Sequence, residues 1–485
     1  MSFKVAFIGA GSVGFTRTLV ADLLSVPEFS GVELALQNIS EENLRMVAEL
    51  CERDLEYNAL PARITSTTNR LAALRDAKYV FCVARIGGLE AFQTDIDIPL
   101  RYGVDQCVGD TLCAGGVMYG QRGIAAILDF CRDIRQVALP GCKLFNYSNP
   151  MAMLTWAANQ YGGVETYGLC HGVEHGYEQV AKALGLPKHE LDIVAAGINH
   201  QTWFLRISHA GADYTGKLLQ AMEEHPEFSR TEKVRIDILK RFGYYSTESN
   251  GHLSEYLAWY RKRPSEIERW IDLSSWINGE TGGYLRVCSE GRAWFETDFP
   301  KWLAEPPKQY SVSTRSLERG SYILEGLETG RIFRGHFNVP NRGIISNLPH
   351  DAIVEVPGYV DKHGINIPVV GALPLGCAAV CNASISVQRL AVEAAVSGDD
   401  LLLRQAMLMD PLVGAVCNPE EVWQLTDEML VAQKAWLPQY GAAIAKAEAR
   451  LADPKRSPAP HHAGYTGAAR LKVKDVAEMR ALANN

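Results

Sequence analysis

The chain has 485 residues, with 48 Lys and Arg against 56 Asp and Glu for a net charge of −8, and 47% of it is hydrophobic. That composition is of a globular protein, and its mild acidity excludes the basic stripe of a nucleic-acid binder. No stretch approaches the roughly 18 uninterrupted apolar residues of a membrane span, and 11 scattered cysteines without paired spacing fit free thiols in a reducing cytoplasm better than a disulfide framework.

The N-terminal run Met1–Gly9 enters a strand pattern directly, with no signal-peptide cleavage region. Residues 3–8 predict a short apolar strand, and 13–25 carry Phe15, Leu19, Val20, Leu23 and Leu24 at helical spacing. Val32–Leu36 predicts a second strand and 41–57 a charged amphipathic helix. Tyr79–Ala84 reads as a buried strand, Gly123–Val137 as a helix and Lys143–Tyr147 as another strand, after which Pro150 takes the first position of a helix running to about 161. Glu165–Cys170 and Asp192–Gly197 complete the series of strands. Such alternation predicts a parallel sheet with helices on its faces. Beyond residue 200 the pattern becomes more helical, with strand-like pieces at Tyr310–Arg331 and Ala352–Val360, a loop at 453–465 and a final helix over 466–483. The expected fold is α/β: a sheet domain over 1–197, an interlocked α+β domain over 198–452, and a C-terminal loop and helix over 453–485.

Gly9-Ala10-Gly11-Ser12-Val13-Gly14 lies directly after the first strand and before the first helix. Glycines there permit the tight turn, the approach of backbone to a pyrophosphate and close helix–strand packing, while the helix N-terminus offers free N–H groups and a positive dipole end. In that context the run predicts a Rossmann-like dinucleotide site built on Gly9, Gly11, Ser12, Val13 and Gly14. The second strand ends Leu36-Gln37-Asn38, where an NAD site normally carries Asp or Glu. Asn38 can hydrogen-bond a ribose diol but does not repel a 2′-phosphate, so NAD is expected and NADP stays open.

Three further strand ends are polar: Asn146-Tyr147-Ser148-Asn149-Pro150-Met151, Cys170-His171-Gly172-Val173 and Gly197-Ile198-Asn199-His200. In an open α/β sheet, ligands bind beyond the carboxyl ends of the strands. Cys170 and His200 could jointly ligate a divalent metal there, with His171, Asn149 and Asn199 close by; equally, a buried Cys packs as a small hydrophobe and a His after a strand caps a helix.

These motifs, together with Gly87-Gly88, Val108-Gly109-Asp110-Thr111 before Gly115-Gly116, Tyr244–Tyr256, Asn338-Val339-Pro340-Asn341 and Val354-Glu355-Val356-Pro357, resemble glycoside hydrolase family 4 in order and over most of the chain. That family is the NAD- and manganese-dependent glycosidases, and the likeness is greatest to its α-galactosidase/α-glucosidase branch. The resemblance implies a sheet domain of the lactate/malate dehydrogenase type and an exception to two-carboxylate glycoside hydrolysis. NAD oxidises the sugar at C3, a metal assists deprotonation at C2, the C1–oxygen bond breaks by elimination, water adds, and the hydride returns. It also implies Cys170 and His200 as metal ligands and Tyr256 as the C2 base, with His252 its local rival. Asp110 and His171 are alternatives for the leaving-group acid. Asn149, Asn199 and His252 are assigned to the substrate, and Arg85 and Asn38 to the cofactor side. Asn149 could instead cap the helix beginning at Pro150. A thiolate ligand is soft, so Zn²⁺, Co²⁺, Ni²⁺ or Fe²⁺ would compete with manganese.

The phospho-sugar branches carry Arg twice around the Gly-Gly stretch, and Asp or Asn after the metal-binding Cys. This chain keeps Arg85 but has Phe92 and His171 at those positions, so a 6-phospho-sugar is not expected. Cys-His-Gly-Val also differs from the Cys-His-Ser-Val form of α-galactosidases, which leaves an α-glucoside or an α-glucuronide or α-galacturonide open, with Arg85 available to a uronate carboxylate. The expected partners are a small glycoside and a second copy of the chain, as a dimer or tetramer; no nucleic acid or membrane is expected. From a different class, a 2-hydroxy-acid dehydrogenase would share the dinucleotide fold but accumulate NADH without a metal.

Overall fold

Lys4–Ile8 (β1), Glu33–Gln37 (β2), Arg63–Thr67 (β3), Tyr79–Cys82 (β4), Lys143–Asn146 (β5) and Thr166–Gly168 (β6) pair in parallel, in the order β3-β2-β1-β4-β5-β6. The central three, β1, β4 and β5, are buried almost throughout, as helices covering both faces require. The covering helices begin at side-chain caps: Ser12 accepts the Phe15 N–H and Ser40 the Asn43 N–H, with Glu41 and Glu42 complementing the positive end of the second helix. This computed structural model describes residues 1–273, 279–456 and 465–483.

The remaining strands run Leu191–Ile198 (β7), Gln201–His209 (β8), Ala212–Asp213 (β9), Tyr245–Ser246 (β10), Phe333–Pro340 (β11), Ile353–Asp361 (β12) and Gly364–Asn366 (β13). They extend the same sheet with antiparallel pairing, giving β10-β8-β7-β12-β11-β6 and then the parallel half, with β13 on β12 and β9 on β8. β11 and β12 form a hairpin in continuous register from Phe333↔Val360 to Pro340↔Ile353. That hairpin is wedged between β6 and β7, joined to each by a single registered pair, Asn338↔Gly168 and Glu355↔Gly197.

The structure corrects several sequence expectations. Asp192–Gly197 is antiparallel to its neighbours, because the connection to β8 is only Asn199-His200 and so short a turn can only reverse the chain. Tyr310–Arg331 holds no strand: it folds as a short 3₁₀ turn at Val312–Thr314 and a helix at Gly320–Thr329, which buries Ile323 and Leu324 and stops at Gly330 with φ +84°. The helix expected from Gly123 begins ten residues earlier, at Cys113. Three of the added residues are glycines packed too tightly for any side chain: a Cβ at Gly116 would overlap the Thr111 backbone, and one at Gly120 would crowd Met153. A helix at Gly88–Arg101 and the strands β3 and β11 had not been read from the sequence. The final helix covers only Val476–Ala483, and most of the expected loop at 453–465 lies outside the described residues.

Leu375–Ser397 is the one described helix long and apolar enough to cross a membrane, and 50% of its most apolar stretch is buried in the fold, packed on Cys113–Val137 and Asp400–Met409. All eleven cysteines are free thiols. The contact at Gly116 yields a stability prediction. Gly116→Ala forces a Cβ onto backbone rather than a flexible side chain, so it is expected to cost about 1–3 kcal/mol, read as a lowered urea midpoint with unchanged m-value.

Candidate active site

The glycine loop is held by main chain. Gly9 turns with φ +90°, and the Gly9 and Ala10 N–H groups donate to the Gln37 carbonyl at 2.9 and 2.8 Å, tying the loop to the end of β2. A Cβ on Gly9 would come within 2.5 Å of Ala84, and one on Gly11 would overlap the Asn38 amide, whereas Gly14 faces open space. That space is a cleft of about 970 Å³ whose lining includes Gly11, Ser12, Val13, Gly14 and Arg85. Gly9 and Asn38 stand behind it as backing rather than lining.

Arg85 follows β4 and connects this cleft to a second group of residues. Its guanidinium lies over the rings of Phe92, Tyr119 and Tyr284 at 4.5, 5.3 and 5.2 Å, and its Nη2 is 3.9 Å from Asp110 Oδ2. Asp110 is buried and accepts from Thr111 Oγ1 at 2.9 Å and Asn149 Nδ2 at 3.0 Å. The Asn149 side chain is therefore spent on Asp110, and the helix at Met151 has no side-chain cap. With the Thr111 hydroxyl donating to Asp110, its oxygen accepts from His200 Nδ1 at 3.0 Å, and Tyr256 Oη lies 3.2 Å from the same nitrogen. This arrangement calls for a proton on Nδ1 and turns Nε2 towards Cys170 and Glu248.

His200 Nε2 faces Cys170 and Glu248. His200 sits in the two-residue β7–β8 turn at φ +64°, a strained setting for a residue with a Cβ and one met chiefly at functional positions. The Cys170 Sγ, His200 Nε2 and Glu248 carboxylate all lie within 4.8 Å of one another, with Glu248 Oε2 at 3.9 Å from the sulfur and 3.7 Å from the imidazole. Burial, helped by Glu248 and Glu355, pushes the Cys170 thiol well above its ordinary range. Burial would raise Glu248 too, but the surrounding His200, His252, His171 and His175 outweigh it and hold that carboxyl down at about 2. Glu248 had not been read from the sequence as a ligand; its only signal was its place in the Tyr244–Tyr256 stretch.

Asn199 is 2% exposed, and both polar atoms of its side chain lack any protein partner, a costly arrangement that a bound hydroxyl would relieve. The His252 ring is 5.0 Å from that of His200, its Nδ1 bonds Ser249 Oγ at 2.8 Å, and burial with the neighbouring His200 pushes it down to about 4. His171 stands apart from the Asp110 network. It opens the helix Gly172–Leu184, its side chain is 47% exposed, and its partners are Glu318 at 3.6 Å and the His175 ring at 4.8 Å. The structure thus links Cys170, His252 and Tyr256 directly to His200, and Asp110 and Asn149 to it through Thr111, and leaves His171 at the rim.

The loop leading to Asp110 is pinned by a carboxylate. Glu255 accepts the N–H groups of Cys107, Val108 and Gly109 at 2.7, 3.0 and 3.1 Å. Its burial raises it to about 7 despite those bonds and the nearby Arg261. A folded-state value above the unfolded one means the folded protein binds the extra proton. Stability from this group is therefore full below about pH 4.5 and is lost as pH rises through about 7, by about 3 kcal/mol. Glu255→Gln cannot ionise, so the fall in urea midpoint between pH 4.5 and 8 is expected to be shallower in that variant than in the parent.

Fold and site together define an enzyme that sets a dinucleotide cleft beside a thiol–imidazole–carboxylate cluster. The chain belongs to family 4 of the glycosyl hydrolases. The family model matches residues 4–186 and the model of the family's C-terminal domain matches 195–413. Among its relatives, an α-galactosidase of Rhizobium meliloti (strain 1021) is 58% identical over 99% of this chain and 97% of its own length. An α-galactosidase of Bacillus subtilis (strain 168) is 32% identical over 90% of this chain and 99% of its own. A 6-phospho-α-glucosidase from gut microorganisms, solved with NAD and glucose-6-phosphate, superposes with a TM-score of 0.74 at 25% identity, covering 90% of this chain and 99% of that one.

Proposed function

We propose that this enzyme hydrolyses α-galactosides by the NAD- and divalent-metal-dependent redox and elimination route, with manganese as the metal. The observation that carries the reading is the 58% identity with an α-galactosidase along nearly the whole chain, and the site geometry supports it. The glycine-lined cleft at a helix N-terminus suits a dinucleotide. Three donor atoms converge, one of them a thiol whose ionisation a nearby cation would favour, and this suits a divalent metal. When bound, NAD would take and return hydride at sugar C3 while the metal, held by Cys170 and His200, would draw charge from the C2 and C3 oxygens so that the C2 proton becomes acidic.

The chain's own groups do the rest. Tyr256 Oη takes the C2 proton, and the His200 Nδ1–H beside it steadies the resulting phenolate. Asn199 hydrogen-bonds a sugar hydroxyl with its two unpartnered atoms. Asp110, whose oxygens already receive Thr111 and Asn149, fixes that pair and Arg85 in place. His171, half-exposed at the rim, is positioned to hand a proton to the departing aglycone. Arg85 is boxed by three aromatic rings and already faces Asp110, which favours a neutral sugar over a phosphorylated one. The working form proposed with this reading is a homo-oligomer, dimer or tetramer.

The test is hydrolysis of p-nitrophenyl α-galactoside, α-glucoside, α-galacturonide and α-glucuronide and of a 6-phospho-glucoside, each with NAD⁺, Mn²⁺ and reductant and with each left out in turn. Turnover of the α-galactoside that stops without NAD⁺ or without metal, and without net NADH, is the expected result. Turnover of a uronide or phospho-sugar in its place would overturn the substrate, and turnover indifferent to NAD⁺ would overturn the route.

A further inference from the structure

We propose that Glu248 is a third protein ligand to the divalent cation held by Cys170 and His200, and that Gly172 is the position that admits it. The inference rests on the metal reading above and concerns a residue that reading does not need. The three donors come from three separate places in the sheet: Cys170 beyond β6, His200 in the β7–β8 turn, and Glu248 just after β10 at the sheet edge. The Glu248 carboxylate reaches the cluster nearly buried, with 14% of the side chain exposed. Among the described residues no Lys or Arg pairs with it; its partners there are Cys170 and His200. Carboxylate, thiol and imidazole face one another across a few ångströms, a donor set that a divalent cation would complete. Two donors sharing one ion through bonds of about 2.0–2.3 Å lie about 3–4.5 Å apart, and the separations of 3.9 and 3.7 Å fall in that range.

Gly172 makes the approach feasible. A Cβ at this position would overlap Glu248 Oε2, so any other residue there drives the carboxylate away from the cluster. The chemical consequence is metal preference. Cys and His alone favour soft and borderline metals, whereas adding a hard carboxylate oxygen shifts the site towards Mn²⁺. Substitution at Glu248 should therefore weaken Mn²⁺ more than Co²⁺.

The experiment titrates metal-free, reduced protein with MnCl₂, following free Mn²⁺ by electron paramagnetic resonance, for the parent, E248Q, G172A and C170S. NAD⁺ affinity serves as the check on folding, and the sulfur-to-Co²⁺ charge-transfer band reports whether Cys170 still ligates. E248Q and G172A are expected to weaken Mn²⁺ by about tenfold or more, to keep NAD⁺ affinity, and to keep the Co²⁺ band, which C170S loses. Parent-like Mn²⁺ affinity in E248Q overturns the third ligand, and parent-like affinity in G172A overturns the role of that glycine. Parent-like Mn²⁺ affinity and a Co²⁺ band in C170S would instead sink the Cys170–His200 site itself. Should E248Q lose its NAD⁺ affinity, G172A decides the question alone.

Discussion

Replacing Cys170 with serine is expected to lower metal-dependent turnover by at least about a hundredfold while NAD⁺ affinity stays near that of the parent. The sulfur is one of three donor atoms within 4.8 Å of one another. A serine oxygen occupies the same place and still accepts the Gly172 N–H that now reaches Cys170 Sγ at 3.4 Å. It does not ionise to a thiolate, so the cation loses its strongest anionic partner with little change in packing. The glycine loop follows β1, with β4 and β5 standing between it and β6, and Cys170 is not among the residues lining its cleft, which is why cofactor binding is expected to survive. Steady-state hydrolysis of p-nitrophenyl α-galactoside beside an NAD⁺ titration measures both. Full turnover in the serine variant would remove Cys170 from the metal site. The same chemistry predicts a parent that loses activity to oxidants and keeps it with reductant.

The second large effect concerns proton transfer. Tyr256→Phe is expected to slow exchange of the sugar C2 proton with solvent by about 10²–10⁴-fold, seen as loss of deuterium at C2 of the product formed in D₂O. Tyr256 is buried, and burial with the Glu255 and Asp110 charges pushes its hydroxyl well above the usual tyrosine range. The free enzyme thus keeps the phenol protonated, and only a positive charge arriving nearby makes it a base; His200 Nδ1 at 3.2 Å is the contact that would relay it. Exchange at the parent rate would pass the role to His252, the neighbouring imidazole already held neutral with its value near 4.

The parallel half of the sheet was legible because period and punctuation agree there. An apolar run and the first glycines of the loop fall within the first dozen residues, and a continuous apolar strand gives way to helical spacing at a definite point. What could not be read was whatever depends on residues remote in sequence. β3, Arg-Ile-Thr-Ser-Thr, is a polar edge strand whose burial pattern carries no alternation. The helix starting at Cys113 opens with glycines that propensity disfavours, and it forms because those glycines fit against Thr111 and Met153. In the site, Cys170 and His200 were singled out by their strand-end positions and, with Tyr256, by a resemblance in motifs. Glu248 was passed over because nothing local distinguishes a ligating glutamate from a solvated one. Its meaning lies in the bare backbone of Gly172, remote in sequence and in contact by fold. His171 followed the motif to the neighbourhood but not into the network, because its ring starts a helix and turns towards Glu318.

The wedged β11–β12 hairpin also orders events as the chain leaves the ribosome. The strands that make the dinucleotide cleft are complete once β6 has emerged, and every crossover among them is local. Cys170 and His200 follow soon after, but the spacing of their strands is set by residues 333–361, which arrive more than a hundred residues later. A nascent chain therefore has its glycine loop in place well before the strands that carry Cys170 and His200 reach their final spacing. The thiol at Cys170 spends that interval without its final neighbours, at the stage of synthesis when a reducing milieu matters most to it.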